Sequence, residues 1–475
     1  MPRRLSFAKQ VRVLTFDGIF LLKPKKQSQQ VMRSLLRGWN FPNTMQHTQT
    51  EHFDLTVVGG GASGLSAALQ AACCGLKVLL IEKSGILGGT TTLGGVNFPG
   101  LFHAWGHQVI AGYGWELTRR TVMESGESMP DFSKWRQHHW LLQIPVSIPL
   151  FAALADEMIA ASGARMLFHA ICFAVKRERS HWCLDVAVKE GARKYSSDFL
   201  IDCTGDANVA ALAGFQLREN RHRQPATLIF RLAGYDVSRI DLESVERSFR
   251  KECAAGNLDP SLIGSSKDGI ASFLLNHGKN KMHVIGGEPS TSSGKSEMER
   301  RARSILLKLH RFLRGQRGLE GLFIDHMAME CGIRETRTLA GKTTITEKDY
   351  LSGRVWPDSL CHSFYPVDIH KPDGDGIEIR PLQEGIVPTV PLSALQPQKD
   401  PGLPSHDYFL VAGRCVSSDQ GANSALRVQA SCMAMGQAAG AAVVIAAQGN
   451  TGIAGADLEA IRRLLREHAA ITPPV

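Results

Sequence analysis

Six side chains in the middle of the sequence are of types that move protons or hold charge. Arg334, Glu335 and Arg337 fall in one stretch; Tyr365, Asp368 and His370 fall in the next, SFYPVDIH. Asp368 and His370 alternate along what reads as a strand, so they share one face. A carboxylate beside an imidazole raises its pKa and fixes its tautomer, which makes His370 a candidate acid or base. The competing reading is a buried, hydrogen-bonded pair that only ties two parts of the chain together. Arg334 can clamp an anion or a carbonyl, but Glu335 beside it allows a plain salt bridge instead. His370, Arg334, Tyr365 and Asp368 form the candidate catalytic set, and no set of residues with metal-ligand spacing accompanies them.

A second constellation binds rather than reacts. Residues 54–89 run from an apolar stretch, Leu55 to Val58, through Gly59-x-Gly61-x-x-Gly64 into a small-residue helix from about Ser63 to Cys74. Gly75 ends that helix, and a second apolar stretch, Val78 to Ile81, stops at Glu82. Strand, tight turn, helix, strand and acid at these lengths make a mononucleotide-binding βαβ unit. Gly59 makes the turn, Gly61 lets a pyrophosphate approach the backbone, and Gly64 lets helix and strand pack closely. The helix N-terminus offers unpaired N–H groups and its positive dipole end to the phosphates. Glu82 can accept hydrogen bonds from both hydroxyls of an adenosine ribose.

These residues need a large scaffold, and 475 residues supply one, in two domains by length. Charged residues at 21% and hydrophobic residues at 43% are ordinary for a globular chain. The net charge of +9 is unevenly placed: residues 1–52 hold nine basic and two acidic side chains, which leaves +2 for the remainder. A nearly neutral body argues against an extended nucleic-acid face. The ten cysteines are irregularly spaced, none form Cys-x-x-Cys, and most lie in apolar runs. That pattern favours a reducing, cytoplasmic setting over a disulfide framework. No apolar run approaches a membrane span, and Ala438 to Ala447 reads as a buried helix.

Four segments follow from a pass along the chain: a basic N-terminal extension (1–52), a nucleotide-binding part (53–214), an inserted substrate or cap domain (215–395), and a return to the nucleotide-binding domain (396–475). The extension reads as an organelle-targeting leader over 1–44, as a basic tail, or, the reading preferred, as translation upstream of a start at Met45. After Glu82, glycines at 85, 88, 89, 94, 95, 100, 106, 112 and 114 are too dense for a helix or packed strand. They suit a loop against a planar cofactor; His103 and His107 within it read as packing residues. A helix over Ser147–Ala161 precedes a short strand (165–169) and three antiparallel strands near 172–176, 182–188 and 194–197. A further strand, Phe199 to Cys203, ends at Thr204-Gly205-Asp206, where Asp206 either caps the next helix or touches the cofactor. A strand over Tyr408–Ala412 leads through Gly413-Arg414 to one long helix, about Ser424 to Gln448, containing Gly436-x-x-x-Gly440. An amphipathic helix over Ala456–Ala469 follows.

GGTTTLGG, IDCTGDANVAALAG, QPATLIFRLAG, GIRETRTLAGKTTITEKDYLSGRVWPD, YPVDIHKPDG and VAGRCVSSDQGANSALRVQASCMAMGQAAG together resemble a large family of FAD-dependent oxidoreductases. That family is allied to fumarate reductase flavoproteins and to the flavin part of heterodisulfide reductases. The resemblance covers about residues 53–450 and departs at Thr338, where relatives carry a second arginine. It implies an α/β fold: a Rossmann-like FAD-binding domain of glutathione reductase type, βαβ with a parallel sheet and a three-stranded antiparallel insert, plus an inserted α+β substrate domain. The FAD contacts expected are Gly59, Gly61, Ala62, Ser63, Gly64, Glu82, Lys83, Gly88, Gly89, Thr90, Cys172, Thr204, Gly205, Asp206, Gly413, Arg414, Ser424 and Ala425. The helix start around Asn423–Leu426 would face the flavin with its positive dipole end. No second Gly-x-Gly-x-x-Gly, no Cys-x4-Cys pair and no iron–sulfur cysteine run are present. The expected activity is hydride transfer between flavin and a small organic substrate, with an unidentified electron partner. The alternative is a structural or non-redox nucleotide with a partner-binding middle domain.

Overall fold

Strand β1 (Glu51–Val58) enters the glycine turn, α1 (Ala62–Cys73) follows, and β2 (Val78–Ile81) returns parallel to β1. The computed structural model describes residues 50–259, 269–275, 280–372, 376–400 and 404–474. The leader, tail and upstream-start readings of residues 1–44 therefore lie outside the described residues. A two-residue ladder, β3 (His103–Ala104) with β4 (His107–Gln108), sits in the glycine-rich loop. It is followed by α2 (Tyr113–Glu124), α3 (Ile148–Ser162) and β5 (Arg165–Leu167), which pairs parallel to β2.

Three strands then form a meander: β6 (Ile171–Glu178), β7 (His181–Val188) and β8 (Gly191–Asp202). The sequence reading divided β8 into two strands, near 194–197 and 199–203. One strand serves both roles: it runs antiparallel to β7 and parallel to β1 over most of its length. The sheet order is β5-β2-β1-β8-β7-β6, and β18 (Phe409–Val411) joins parallel to β8. This is a Rossmann-like α/β sheet with an antiparallel extension.

Short α4 (Asn208–Leu212) and β9 (Leu217–Glu219) lead to a three-stranded antiparallel sheet with order β11-β10-β12. In chain order it consists of β10 (Ala226–Ala233), α5 (Leu242–Ala254), α6 (Gly269–Leu275), β11 (Asn280–Val284), α7 (Ser292–Arg314) and β12 (Phe323–Met327). Its core, from Ala226 to Cys331, includes Leu228, Phe230, Met282, Leu306 and Leu309, separate from the core under the large sheet. Residues between 345 and 395 pack instead with the large-sheet core, through Ile345, Tyr350, Leu360, Val367 and Leu392. β13 (Arg337–Leu339) pairs with β9, and the 345–395 stretch holds α8 (Glu347–Leu351), β14 (Ser359–His362), β15 (Val367–His370), β16 (Ile377–Arg380), β17 (Thr389–Pro391) and α9 (Leu392–Leu395). From Thr50 onward these parts make one compact unit.

The C-terminal helix differs from the single one expected. It is two helices, α10 (Gln420–Leu426) and α11 (Gln429–Gln448), broken at Arg427-Val428. Asp419 caps α10 by accepting from Ala422 N–H at 2.9 Å. Along α11, Gly436 and Gly440 face α1: a Cβ on Gly440 would lie 2.6 Å from the Ala67 carbonyl oxygen, and one on Gly436 would fall on that of Ser63. Close backbone approach is thus what these two glycines provide. α11 is long and apolar enough to cross a membrane by composition, and nearly all its side chains are buried in protein, as a core helix requires. Amphipathic α12 (Leu458–Glu467) packs beside it, and all ten cysteines are free.

Candidate functional site

Two clusters form where the sequence places chemistry. The first surrounds the start of α1. Gly59 has φ +105°, a backbone state only glycine enters cheaply, and its missing Cβ makes room for the Cys203 carbonyl at the end of β8. Gly64 lacks a Cβ that would collide with the Gly59 carbonyl. Gly61 is different: its Cβ direction is open, with only Gly89 Cα at 3.9 Å. It is also the N-cap of α1 and offers no side-chain acceptor, so the first-turn N–H groups of Ala62, Ser63 and Gly64 are uncapped by any side chain. Gly88 N–H bonds the Gly60 carbonyl at 2.8 Å and brings Gly88 and Gly89 against this turn; Thr90 stands exposed beyond them. Gly413 (φ +95°) lies against Ser63, whose hydroxyl donates to the Ala412 carbonyl at 3.1 Å. Uncapped donors and an open glycine face fit a pyrophosphate.

Glu82 is buried and already engaged. Its carboxylate accepts from Gly60 N–H (2.7 Å), Ser84 N–H (2.8 Å) and the Ser84 hydroxyl (2.8 Å). About one of roughly four lone-pair positions therefore remains, so it braces the turn more than it could serve two ribose hydroxyls. Lys83 is exposed and pairs at 3.4 Å with Glu330, whose N–H in turn bonds the Leu93 carbonyl of the glycine-rich loop at 3.1 Å. Cys172 lies on β6 beside a register shift, and burial pushes its thiol up to about 12. Ala170 N–H bonds the Glu82 carbonyl at 3.1 Å, which brings the start of β6 close to the acid.

Asp206 does not cap the next helix. The N-cap of α4 is Ala207, which has no side-chain acceptor, and Asp202 does the capping instead: it accepts from Thr204 N–H (2.9 Å), the Thr204 hydroxyl (2.7 Å) and Ala210 N–H (2.9 Å). Asp206 pairs with Arg414 and accepts from the Thr336 hydroxyl at 2.9 Å. Arg414 also donates to the carbonyls of Gly205 (2.9 Å) and Ile333. It ties three segments together, at one-sixth exposure rather than on the surface. The expectation for the flavin-facing helix is corrected as well. Asn423 to Leu426 end α10 rather than open a helix, and Ser424 accepts from Asp368 N–H at 3.0 Å. The uncapped N-terminus belongs to α11, where Gln429 holds the GGTTTLGG loop by accepting from Thr91 (2.7 Å) and donating to the Val96 carbonyl (2.6 Å).

The second cluster gathers on β15. Asp368 and His370 share a face, with His370 Nε2 3.4 Å from Asp368 Oδ1; the distance suits an ion pair, but the angle makes no hydrogen bond. The expectation of a raised histidine pKa is overturned. Burial, then Arg334 and Arg427, then His283 and Lys281, drive it far below its ordinary value, so the imidazole is neutral. Desolvation and two nearby guanidiniums outweigh one imperfectly aligned carboxylate. Arg334 is half-buried, donates to the Pro225 carbonyl, and is pulled down to about 9 by desolvation and Arg427. It does not pair with Glu335, which accepts from Gln224 N–H (2.7 Å) and Gln420 (2.8 Å) on the other side of the chain. Arg337 leaves the cluster to meet Asn208 at 2.7 Å.

Arg427 is the residue the sequence reading missed. It sits in the α10–α11 break and donates to the carbonyls of Ser424 (3.0 Å) and Asp368 (3.1 Å) and to Gln224 Oε1 (3.3 Å). Burial lowers its pKa, and neither it nor Arg334 has a carboxylate within ion-pair distance among the described residues. A signal existed: Arg427 is the single charged residue between Asp419 and Asp457. Tyr365 completes the group; its hydroxyl accepts from Gln143 at 3.0 Å, and burial and Asp368 raise its pKa. His139 lies edge-on to the Tyr365 ring at 5.1 Å. His103 stacks on Phe132 at 3.7 Å, lowered to about 4 by burial, as a packing residue would be.

With this geometry in hand, the sequence matches the family model for FAD dependent oxidoreductases over residues 54–465, and the chain belongs to that family. It is a flavin redox enzyme with FAD as its cofactor. Curated relatives match only in short stretches. A 4-oxocyclohex-2-ene-1-carboxylate 5-dehydrogenase of Sinomonas cyclohexanicum is 45% identical over 51 residues, 11% of this chain and 9% of that one. A urocanate reductase of Eggerthella lenta is 52% identical over 46 residues, 10% and 8% of the two chains. The chain thus matches less than a tenth of the length of these relatives. Among solved structures, a geranylgeranyl bacteriochlorophyll reductase-like protein of Thermoplasma acidophilum aligns over 88% of this chain and 83% of that one, at 12% identity and a TM-score of 0.39.

Proposed function

We propose that this enzyme oxidises or reduces a small organic acid whose carboxylate is received by Arg334 and Arg427. The observation that carries the reading is the pair of half-buried guanidiniums, one donating to the Pro225 carbonyl and the other to the Asp368 carbonyl, with no carboxylate at ion-pair distance among the described residues. A desolvated, unpaired charge is costly, and an entering anion offsets that cost. The resemblance to fumarate reductase flavoproteins supports it, as do the two relatives whose names are those of enzymes for carboxylates.

Bound FAD supplies hydride acceptance or donation. The α1 N-terminus, Gly61 and Gly89 would hold its pyrophosphate, Glu82 would brace the turn, and the uncapped start of α11 would favour negative charge on the ring. The Tyr365 hydroxyl, accepting from Gln143, keeps its own proton to donate to the substrate, and its raised pKa keeps that proton on the oxygen at neutral pH. His370 stays neutral beside Asp368 and positions the substrate rather than carrying charge to it. Arg334→Gln and Arg427→Gln are each expected to weaken butanoate binding to the holoenzyme by about tenfold or more, the worth of a charge-assisted bond, at unchanged FAD content. Calorimetric titration reads this; undiminished affinity in both variants would remove the carboxylate from the reading.

A further inference from the structure

We infer that the acid this site takes carries an apolar body, lodged against Ile377 and Ile379 of β16; the inference rests on reading Arg334 and Arg427 as the carboxylate clamp. The hairpin register supplies the argument. In the β15–β16 ladder Asp368 lies opposite Ile379, and His370 opposite Ile377. Directly paired residues of an antiparallel ladder project to the same face, with Cβ atoms about 5 Å apart. The other face carries Val367 and Ile369, which pack on the large-sheet core, and Arg380, which reaches Glu347 of α8. Asp368, His370, Ile377 and Ile379 therefore share the face turned away from that core.

Across one strand spacing, this face passes from a buried His370, 5% exposed, and a half-buried Asp368 to Ile377 and Ile379, 43% and 45% exposed. Scattered exposed isoleucines are ordinary. Two standing directly opposite the acid and histidine of a half-buried cationic cluster are the floor over which a bound acid must extend. A third apolar side chain is linked to Tyr365 through His139: the Trp140 ring stacks on His138 and lies edge-on to His139 at 5.3 Å. Trp140 is 51% exposed and follows His139, whose ring meets Tyr365. An alkyl or aryl acid places its carboxylate at the guanidiniums and covers these side chains, while a short dicarboxylate sets its second charge on them.

Calorimetric titration of the FAD-loaded enzyme with butanoate, hexanoate, octanoate and succinate tests this. Each methylene laid on the isoleucines should tighten binding by about fourfold, so hexanoate should bind at least tenfold tighter than butanoate, and succinate no tighter than butanoate. In Ile377→Thr/Ile379→Thr, chosen because threonine keeps the β-branch a strand favours, butanoate should bind as before and the gain to hexanoate should fall below about threefold. Trp140→Ser, off the strand, gives an independent arm and should lose part of the gain at full FAD content. Equal affinity for butanoate and hexanoate in the unaltered enzyme, or an undiminished gain in both variants, would overturn the apolar floor and leave the clamp standing. Binding of all four acids that survives Arg334→Gln/Arg427→Gln would overturn the clamp and this inference with it.

Discussion

His370 shows how one side chain's chemistry is set by what surrounds it. Two neighbours in sequence, Asp368 and His370, point to a charged imidazole, yet the guanidiniums of Arg334 and Arg427, over thirty residues upstream and over fifty downstream, hold it neutral. The sign of the pH dependence follows. The folded pKa lies below the unfolded value of about 6.5, so above that pH both states are neutral and His370 contributes nothing. Below it the unfolded chain binds a proton the folded chain refuses, and stability falls by up to about 1.4 kcal/mol per pH unit. His370→Gln should therefore shrink the stability difference between about pH 7.5 and about pH 5 by about 2 kcal/mol, read by urea unfolding. A raised pKa demands the reverse, a variant whose stability falls more steeply with acid than the unaltered protein's.

At the scale of elements, the glycines divide by what stands in front of them. Gly59 and Gly64 are filled by the protein's own backbone; Gly61 faces open space. Gly59→Val should fail to fold, because a Cβ there meets the Cys203 carbonyl and the φ of +105° is strained for any side chain. Gly61→Val should fold as apoprotein with a melting temperature near that of the unaltered apoprotein, and lose FAD at least about tenfold, the scale of one removed phosphate contact. Full FAD retention in Gly61→Val would move the pyrophosphate elsewhere. Much of this was legible beforehand: Gly-x-Gly-x-x-Gly and Gly436-x-x-x-Gly440 are local patterns whose steric consequences hold wherever the elements meet. The break at Arg427-Val428 was not legible, since the run from Ser424 to Gln448 contains no proline and its small residues suit a continuous helix.

For the whole molecule, the core of residues 226–331, separate from the two that flank the large sheet, sets the architecture. We propose that the body built from residues 226–331 can melt separately from the FAD-binding body. Leu309 of α7 is fully buried in the smaller core, and Leu309→Ala should cost about 2–5 kcal/mol there. Differential scanning calorimetry should then resolve two transitions, with the flavin absorbance following the upper one. Flavin loss on the lower transition would mean the two bodies unfold together. The packing of residues 345–395 with the large-sheet core bears on the inserted domain read as 215–395: part of that segment is built into the wall of the FAD-binding body.

The βαβ unit, the acid at Glu82, the meander and the family follow from sequence alone, because each rests on short-range periodicity and turn chemistry that twenty to forty residues contain. Partnership between distant side chains does not. That Asp202 caps α4 while Asp206 meets Arg414, that Glu335 turns toward Gln224 rather than Arg334, and that Arg427 joins Arg334 around Asp368 depend on which strands lie side by side. Charge and burial act through space over a few ångströms, and the residues they link here are separated by up to about two hundred positions along the chain. Only the folded chain decides such contacts.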